Sequence, residues 1–558
     1  MPRASHVLVG LAWLLPACEL RHGPAAGPTA VSSSTAAAPA SAGSASPAHA
    51  AGSGSTTPAH AAGSGATRAC TSPATCEQRA AARLEAVRND PAALAKLLQR
   101  FPKGADLHNH LSGAVYAESY LAWARQDGFR VDNSLKLVAA NACATVTCAD
   151  LPTSPADPRF DAILRAWSMK DFQPGAETGH DHFFAAFSKF GLVSHEATRE
   201  GAMLAETIRH AADDGATYLE VLVTVGRPLV NDIARAAGTL DPHDLPAFER
   251  KLHADPRWRT LLATSQGNIT ARDQQARELL RCDTPDALPA CSVTVRYLGQ
   301  VGRTSPASQI FTELLAVFEV SATEPRLVGV NLVSPEDNAT ALKDYDLQMS
   351  LIGALKDEFR GKSPARVTLH AGELTAALVP PANLQSHVRN AVEIAHAERI
   401  GHGVDVLSER DAPQLLAELH ERNVAVEICL SSNAIILGVS GPAHPLSAYL
   451  AAGVPVMLAT DDAGVSRSSL TGEFTRAVAV QGLTYPQLKA LARTSLTAAF
   501  VPGASLWAEA PPPRMIDACA GSATAPKPSA ACSAFLATSA RARLQWKLEQ
   551  QLAAFEAE

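Results

Sequence analysis

The sequence predicts an α/β fold, a closed (β/α)8 barrel, on the basis of three observations. Eight short apolar runs of strand type occur near residues 106, 219, 295, 330, 368, 400, 426 and 457. Segments of helical composition separate many of these runs, and strands that alternate with helices form parallel sheets. Several runs end in histidines or carboxylates, as expected where barrel strands pass into functional loops. A doubly wound open sheet is the alternative, but no Gly-x-Gly-x-x-Gly turn or P-loop favours it.

The composition is that of an ordinary globular protein. The 558 residues are 47% hydrophobic and 18% charged, which is ample material for a large core. The formal net charge is -7, and the sequence has no long run of Lys and Arg. A nucleic-acid partner would normally require a basic surface, so we expect none.

Residues 1–18 are predicted to be an export signal. Arg3 provides the charged region, and the apolar run 7–15 is too short to span a bilayer as a helix. The segment Leu15-Pro16-Ala17-Cys18 resembles the lipobox of bacterial lipoproteins, in which the cysteine is acylated, although Pro16 is unusual there. We therefore expect export to the periplasm, or to the outer membrane or cell surface through a lipid anchor on Cys18. Ordinary secretion is the alternative.

Residues 19–80 are predicted to be a disordered linker. Between about residues 23 and 67 nearly every position is Ala, Ser, Gly, Pro or Thr, and the run 47–54 recurs at 58–65. Such a tract buries too little apolar surface to fold. The barrel domain is then expected over residues 81–558.

Eight cysteines occur as four close pairs, which predict local disulfide bonds. Their surroundings are loop-like, and no pair has the Cys-x-x-Cys spacing of a zinc ribbon or thioredoxin site. Disulfides suit an oxidising compartment, and buried free thiols are the alternative. Cys429, inside an apolar run, is expected to be an inert core thiol. The predicted pairs are Cys70 with Cys76, Cys143 with Cys148, Cys282 with Cys291, and Cys519 with Cys532.

Two segments after the first strand interrupt the strand-helix alternation. Residues 127–161 are rich in loop-forming residues and are too long for an ordinary connection, so we expect an inserted cap over the site. The sequence His180-Asp181-His182 has no apolar strand before it, and phenylalanines follow at helical spacing. We expect a helix to start there, with His180 or Asp181 near its cap. Phe184 is a candidate substrate contact, with core packing as the alternative.

Four residues at strand ends predict a metal site. His108 and His110 are two positions apart, so both side chains point to the same side of the first strand. His370 ends the fifth strand and Asp461 ends the eighth. Three imidazoles and one carboxylate suit zinc and leave a position for water. Zinc lowers the pKa of bound water toward about 7, which supplies hydroxide at neutral pH. We expect one Zn2+ per chain.

Three further residues are candidate catalytic groups. Glu373 lies just beyond His370, close enough to exchange a proton with a substrate beside the metal. His402 stands between two glycines, and Asp462 is next to the predicted ligand Asp461. Both are placed to orient the hydroxide and to form hydrogen bonds with the substrate.

Six motifs, taken as an ordered set, resemble the adenosine and AMP deaminase family. The resemblance covers about residues 95–500. The export signal, the insertion and the Pro-Lys-Gly approach to the first histidine are most similar to the family's secreted, growth-factor-related branch. The motifs are Pro102-Lys103-Gly104-Ala105-Asp106-Leu107-His108-Asn109-His110-Leu111-Ser112-Gly113, His370-Ala371-Gly372-Glu373, Arg399-Ile400-Gly401-His402-Gly403, Glu427-Ile428-Cys429-Leu430-Ser431-Ser432-Asn433, His444-Pro445-Leu446 and Thr460-Asp461-Asp462.

The resemblance implies a zinc aminohydrolase on a (β/α)8 barrel, with zinc on the four predicted ligands. It implies that Glu373 donates a proton to purine N1, that His402 and Asp462 position the hydroxide, and that C6 loses ammonia. Protonation of N1 makes C6 electrophilic, so the acid and the metal must flank the base together. The substrate expected from this resemblance is adenosine or 2'-deoxyadenosine, converted outside the cytoplasm.

Two departures from the family pattern leave the substrate open. Ser112 stands where the family commonly has Asp at the ribose hydroxyl, and Ser334 where it commonly has Gly beside purine N3. Another aminopurine is therefore an alternative, whereas AMP is less expected because no basic cluster accompanies the motifs. A zinc aminohydrolase of a non-purine amine and a nucleoside-binding or signalling protein without turnover are further alternatives. The complete catalytic set argues against the last one. The oligomeric state is not predicted.

Overall fold

The computed structural model of the chain describes residues 72–508, 514–520 and 527–558. The predicted export signal with Cys18 and the predicted linker up to residue 71 lie outside the described residues. All of the predicted barrel strands, metal ligands, catalytic residues and substrate contacts lie inside them.

Eight parallel strands form a closed barrel, which confirms the predicted fold class. Each strand is hydrogen-bonded to the next one in chain order. The ring closes because Asp461 N donates to His108 O at 2.8 Å and His110 N donates to Asp461 O at 3.1 Å. All eight predicted strand positions are occupied. The strands are β1 Gly104–His110, β2 Ala216–Thr224, β3 Thr294–Gly302, β4 Leu327–Val333, β5 Arg366–Ala371, β6 Arg399–His402, β7 Ala425–Ile428 and β8 Val456–Leu458.

Helices between the strands cover the outer face of the barrel. Because both faces are covered, strands such as β1 and β7 are buried at every position. Gly299 in β3 shows how closely a helix approaches, since a side chain there would overlap Val317. The helices between strands are Leu111–Ala114, Ala117–Gln126, Pro158–Ala166, Gly179–Ser194, Glu200–Asp213, Leu229–Ala237, Leu245–Ala254, Arg257–Leu279, Ala307–Ser321, Ala339–Lys343, Tyr345–Glu358, His387–Glu393, Ala412–Glu421, Leu430–Ile436 and Leu446–Ala451.

The predicted boundary between linker and domain is wrong by several residues. A helix already begins at Pro73 and runs to Val87, so residues 73–80 are folded. Ser72 and Thr75 form a capping box at its start. Arg83 Nη2 donates to the carbonyl oxygen of Phe555 at 2.6 Å, which ties this helix to the C-terminal one. The Ala-rich composition did not indicate this helix, because the helix is stabilised by packing on a segment that is distant in the sequence.

The insertion after β1 is more ordered than predicted. Residues Arg130–Asp132, Leu137–Val138 and Cys148–Asp150 form a three-stranded antiparallel sheet. Lys189 Nζ donates to Ser134 O at 3.0 Å, so the insertion contacts the helix Gly179–Ser194, which we name the cap helix. The predicted helix start at the second His-x-His is confirmed, but its capping residue is Thr178.

Three of the four predicted disulfide bonds are present. Cys70 lies outside the described residues, so its pairing with Cys76 stays a prediction. Cys429 is a buried free thiol that directly follows β7. The bonds join Cys143 to Cys148, Cys282 to Cys291 and Cys519 to Cys532, with Cα–Cα distances of 5.6, 5.3 and 4.6 Å.

The remaining helices precede the first strand or follow the last. The predicted C-terminal helix from residue 540 is confirmed. Within the described ranges, no helix combines the length and apolarity needed to cross a membrane. These helices are Pro73–Val87, Pro91–Gln99, Ala463–Ser466, Leu470–Ala479, Tyr485–Ala498, Ala530–Thr538 and Ala540–Ala557.

Candidate active site

The four predicted metal ligands converge at the carboxyl end of the barrel. His370 Nε2 lies 3.0 Å from His108 Nε2 and 3.2 Å from His110 Nε2. Asp461 Oδ1 lies 3.5 Å from His108 Nε2 and 3.2 Å from His110 Nε2. All four residues are buried. Residues hundreds of positions apart in the chain therefore meet because β1, β5 and β8 end at the same rim.

The spacing of these four atoms fits a single metal ion. Four ligands at zinc-like bond lengths of about 2.0–2.1 Å would lie about 3.3 Å apart in a tetrahedron. The hydrogen bonds of the rings agree, because His108 Nδ1 faces Glu427 Oε2 at 2.7 Å and His370 Nδ1 faces Asn331 Oδ1 at 3.0 Å. Both Nδ1 atoms must then carry the proton, which leaves the Nε2 lone pairs directed at the cluster.

Supporting groups hold the remaining two ligands. His110 Nδ1 lies 3.4 Å from Gln300 Oε1, and Ser432 Oγ donates to Asp461 Oδ2 at 2.6 Å. Asp461 has a φ of 59° and His402 a φ of 68°, which is left-handed backbone that these residue types rarely adopt. Such strain is concentrated at functional sites in proteins.

Glu373 is positioned by a second buried carboxylate. Glu336 Oε2 accepts from Glu373 N at 2.8 Å, and its Oε1 accepts from Gly372 N at 3.1 Å. His387 Nδ1 lies 2.6 Å from the same Oε1. The Glu373 side chain is buried, and its Oε1 has no hydrogen-bond partner among the described residues. Burial, and next the charge of Asp461, raises the pKa of Glu373 well above 4.5, which favours the protonated acid.

His402 presents a free ring nitrogen to the same space. Its Nδ1 accepts from Asn433 Nδ2 at 3.0 Å, and Asn433 Oδ1 in turn lies 3.1 Å from His444 Nε2. The proton must therefore sit on His402 Nε2, which has no partner among the described residues. Burial lowers the pKa of His402 to about 3, so the ring is neutral. Its Nδ1 lies 3.6 Å from Glu373 Oε1.

Asp462 directs a carboxyl group toward the site from the end of β8. Burial raises its pKa to about 8, and its Oδ1 has no partner within the described ranges. Gly113 leaves room for this side chain, because a Cβ at Gly113 would overlap the Asp462 carboxyl. The three predicted catalytic residues are therefore all brought to the metal-ligand cluster.

The three candidate substrate contacts lie at the rim. Ser112 is half-buried in the short helix after β1, where its carbonyl oxygen accepts from Tyr120 Oη at 2.7 Å. Ser334 follows β4 with a φ of 85°. Phe184 packs on His180 with ring centroids 4.9 Å apart. His180 itself is not a cluster member, since its Nε2 lies 3.2 Å from Asp337 Oδ1 in the loop that contains Ser334.

Sequence reasoning assigned no role to several supporting residues. Asn331 and Gln300 are polar side chains inside otherwise apolar strands, a signal that was available in the sequence. Glu336 carried no such signal, because its partners Gly372 and Glu373 lie in the loop that follows the next strand, β5. A buried polar residue in a barrel strand needs a partner, and only the fold identifies it.

Comparisons with known proteins agree with this site. Residues 274–506 match the family model for adenosine deaminase. An adenine deaminase of Rhizobium leguminosarum bv. trifolii is 31% identical over 188 residues, 33% of this chain and 52% of that protein. An adenosine deaminase of Aliivibrio fischeri is 36% identical over 137 residues, 24% of this chain and 38% of that protein. The chain thus spans about half the length, or less, of these curated relatives.

Among solved structures, an adenine deaminase from Arthrobacter aurescens aligns over 72% of this chain and 94% of its own. The identity is 18% and the TM-score is 0.47. Over part of its length, the chain is therefore similar to the adenosine deaminase family model and to curated adenine and adenosine deaminases.

Proposed function

We propose that this chain is a zinc-dependent aminohydrolase that converts adenosine or 2'-deoxyadenosine to inosine or 2'-deoxyinosine and ammonia. The observation that carries the proposal is the arrangement around the four-ligand cluster. The carboxyl of Glu373 and the Nε2 of His402, neither hydrogen-bonded among the described residues, face the space beside Asp461. An acid and a neutral donor next to a metal-ligand set are what addition of water to a purine ring requires.

His108, His110, His370 and Asp461 would hold the metal ion. Bound there, zinc supplies a water whose pKa is lowered toward about 7. The residues around the cluster orient the attacking oxygen and the purine ring. His402 donates from Nε2 to the attacking oxygen and fixes its direction. Asp462 orients the purine ring from the opposite side.

Glu373 supplies the proton that activates the ring. The aminopurine carries no charge, so attack at C6 places negative charge on the ring nitrogen N1. Protonation of N1 by the Glu373 carboxyl removes that charge as the C–O bond forms. The added hydroxyl group then gives up its proton and the amine accepts one, so that the C6–N bond breaks, ammonia leaves and C6 becomes a carbonyl. Glu336 holds the backbone of Glu373 in place throughout.

Adenine is the second candidate substrate, because one of the curated relatives is named an adenine deaminase. The two candidates differ only in the sugar. Ser112 stands at the position that the family resemblance assigns to a ribose contact. Comparing the rates at which adenosine and adenine are turned over therefore tests directly whether the sugar is recognised. A substrate panel therefore includes adenosine, 2'-deoxyadenosine, adenine and a non-purine amine.

The proposed location is outside the cytoplasm, as a lipoprotein anchored through Cys18 or as a secreted protein of the growth-factor-related branch. The three disulfide bonds support an oxidising compartment. Labelling with a fatty-acid analogue tests the anchor, and a Cys18→Ser variant should lose both the label and membrane association.

The activity is tested by the change in ultraviolet absorbance that accompanies adenosine-to-inosine conversion, with metal analysis of the same sample. We expect about one zinc per chain and a loss of kcat of about 10²–10⁴-fold in a Glu373→Gln variant, the range typical of a general acid. Glu421→Gln, an exposed position on the helix Ala412–Glu421, is the matched control. Metal-loaded enzyme that deaminates no aminopurine would contradict the proposal.

A further inference from the structure

A second group of metal-ligating side chains lies on the outer ring of helices. Glu249 and His253 belong to the helix Leu245–Ala254, and Glu319 belongs to the helix Ala307–Ser321. One ligand atom from each residue can be chosen so that all three lie within 4.8 Å of one another. His253 Nε2 lies 2.6 Å from Glu319 Oε1, and His253 Nδ1 lies 3.8 Å from Glu249 Oε1. We name these three residues the helix-ring cluster.

The helix-ring cluster is separate from the predicted zinc site. Glu319 is close to the C-terminal end of its helix, which precedes β4, so it lies near the amino end of that strand. The predicted zinc ligands lie at the carboxyl ends of β1, β5 and β8, at the opposite end of the barrel. An ion at the helix-ring cluster would therefore not contact a substrate at the carboxyl end of the barrel.

The local structure holds the three ligands in place. Glu249 and His253 are four residues apart in one helix, so their side chains lie on the same face, one turn apart. Trp258 Nε1 donates to Glu319 Oε2 at 2.9 Å, which leaves Oε1 of the same carboxylate directed at His253. The Trp258 side chain is buried, so this hydrogen bond fixes the Glu319 carboxylate before an ion binds.

Negative charge is concentrated at the helix-ring cluster. The Glu249 and Glu319 side chains are 18% and 17% exposed, so water screens their charges only in part. Burial, and next the charge of Glu358, raises the pKa of Glu249 above its usual 4.5. The charges of His253 and Lys362 act in the opposite direction but do not reverse the shift. A divalent cation between the carboxylates would neutralise this charge.

The ligand types of the cluster suit zinc, since one imidazole and two carboxylates are among the groups that zinc binds in proteins. The ion would replace the hydrogen bond between His253 and Glu319, and the histidine would bind it in its neutral form. The His253 side chain is 41% exposed, so water can complete the coordination. Because this site is open to solvent and has fewer protein ligands than the predicted zinc site, its ion should bind more weakly and fill only when zinc is added.

We propose that Glu249, His253 and Glu319 bind a second Zn2+ ion, which holds the helices Leu245–Ala254 and Ala307–Ser321 together. The first helix belongs to the connection between β2 and β3 and the second to the connection between β3 and β4, so the ion links two successive units of the barrel. Such a link stabilises the folded state, because the unfolded chain does not bring the three ligands together. The inference goes beyond the proposed deaminase function and does not depend on it.

Equilibrium dialysis of the metal-depleted full chain against excess zinc, followed by metal analysis, tests the site. We expect wild type to bind about one more zinc per chain than a His253→Gln variant. Glu319→Gln should lose the same ion, although its amide oxygen can still accept from Trp258. His243→Gln, an exposed position just before the helix Leu245–Ala254, is the matched control and should bind as much zinc as wild type. Equal zinc binding by wild type and folded His253→Gln would show that the cluster is an ion pair only and would overturn the inference.

Thermal unfolding tests whether the ion holds the two helices together. Added zinc should raise the melting temperature of wild type by about 1–2 °C more than that of His253→Gln. An equal rise in both proteins would contradict the link between the helices. The proposed function fails on a different result: wild type that deaminates no aminopurine contradicts that function, whereas the difference in bound zinc would still support the second site.

Discussion

At the residue scale, Glu336 is the supporting residue whose substitution has the most clearly predictable effect on catalysis. Its two oxygens accept from the backbone N–H groups of Gly372 and Glu373, which fixes the segment that carries Glu373, the proposed catalytic acid. In a Glu336→Gln variant one acceptor becomes an NH2 group that faces an N–H donor. The segment must shift, and small misplacements of a catalytic group reduce the rate strongly.

We therefore expect Glu336→Gln to lower kcat by about tenfold to a hundredfold, with a much smaller change in KM. Steady-state kinetics measures both, and circular dichroism checks that the variant is folded. The exposed Glu421→Gln change serves as the matched control. An unchanged kcat in folded Glu336→Gln protein would show that Glu373 needs no such support.

The predicted metal ligands, which the structure brings together, share one property. His108, His110, His370 and Asp461 are chemically unusual at the ends of apolar strands, so their type and position both mark them. Glu336 lacks that mark. Its role depends on partners that come close only when neighbouring strands pair, and no spacing rule along one chain encodes that.

At the scale of elements, the helix Leu470–Ala479 contains a buried carboxyl that destabilises the fold at alkaline pH. Glu473 Oε2 accepts from Ser431 N at 3.1 Å, which attaches this helix to the start of the helix Leu430–Ile436. Burial raises the pKa of Glu473 from 4.5 to about 7. The folded state then binds this proton more tightly than the unfolded state, so stability is lost as the pH rises from 4.5 through 7.

We expect Glu473→Gln to raise the free energy of unfolding at pH 8 by about 1–3 kcal/mol, and by much less at pH 5. The glutamine keeps an oxygen for Ser431 N and removes the buried charge. Urea denaturation at the two pH values measures the difference. An increase in the free energy of unfolding that is the same at both pH values would show that charge burial is not the cause. The control variant Glu421→Gln should show no increase at either pH.

The elements that the sequence misplaced were those with weak local signals. Residues 73–80 look like linker, yet they form a helix because Ala80 and Leu84 are buried in the core. The insertion after β1 looks loop-rich, yet its short strands pair with one another. In both cases tertiary contacts supply the stability that composition does not indicate.

At the scale of the whole molecule, the metal-ligand cluster joins the ends of three barrel strands. Its three imidazoles and one carboxylate are buried, and bound metal would stabilise only the folded state. We expect chelation of zinc to abolish deamination and to lower the melting temperature by about 3–5 °C. Differential scanning calorimetry before and after chelation measures the shift, and added zinc should restore both properties. Full activity in metal-free protein would refute a metal-dependent mechanism.

The sequence by itself determined the barrel, the order of its strands, and the residues at their carboxyl ends. This was possible because strand periodicity is local and because histidines and carboxylates are conspicuous at the ends of apolar runs. The tertiary structure alone decided which residues support them, as with Glu336 behind Glu373. The physical reason is that these contacts join neighbouring strands, and their energy depends on distances in space that sequence separation does not set.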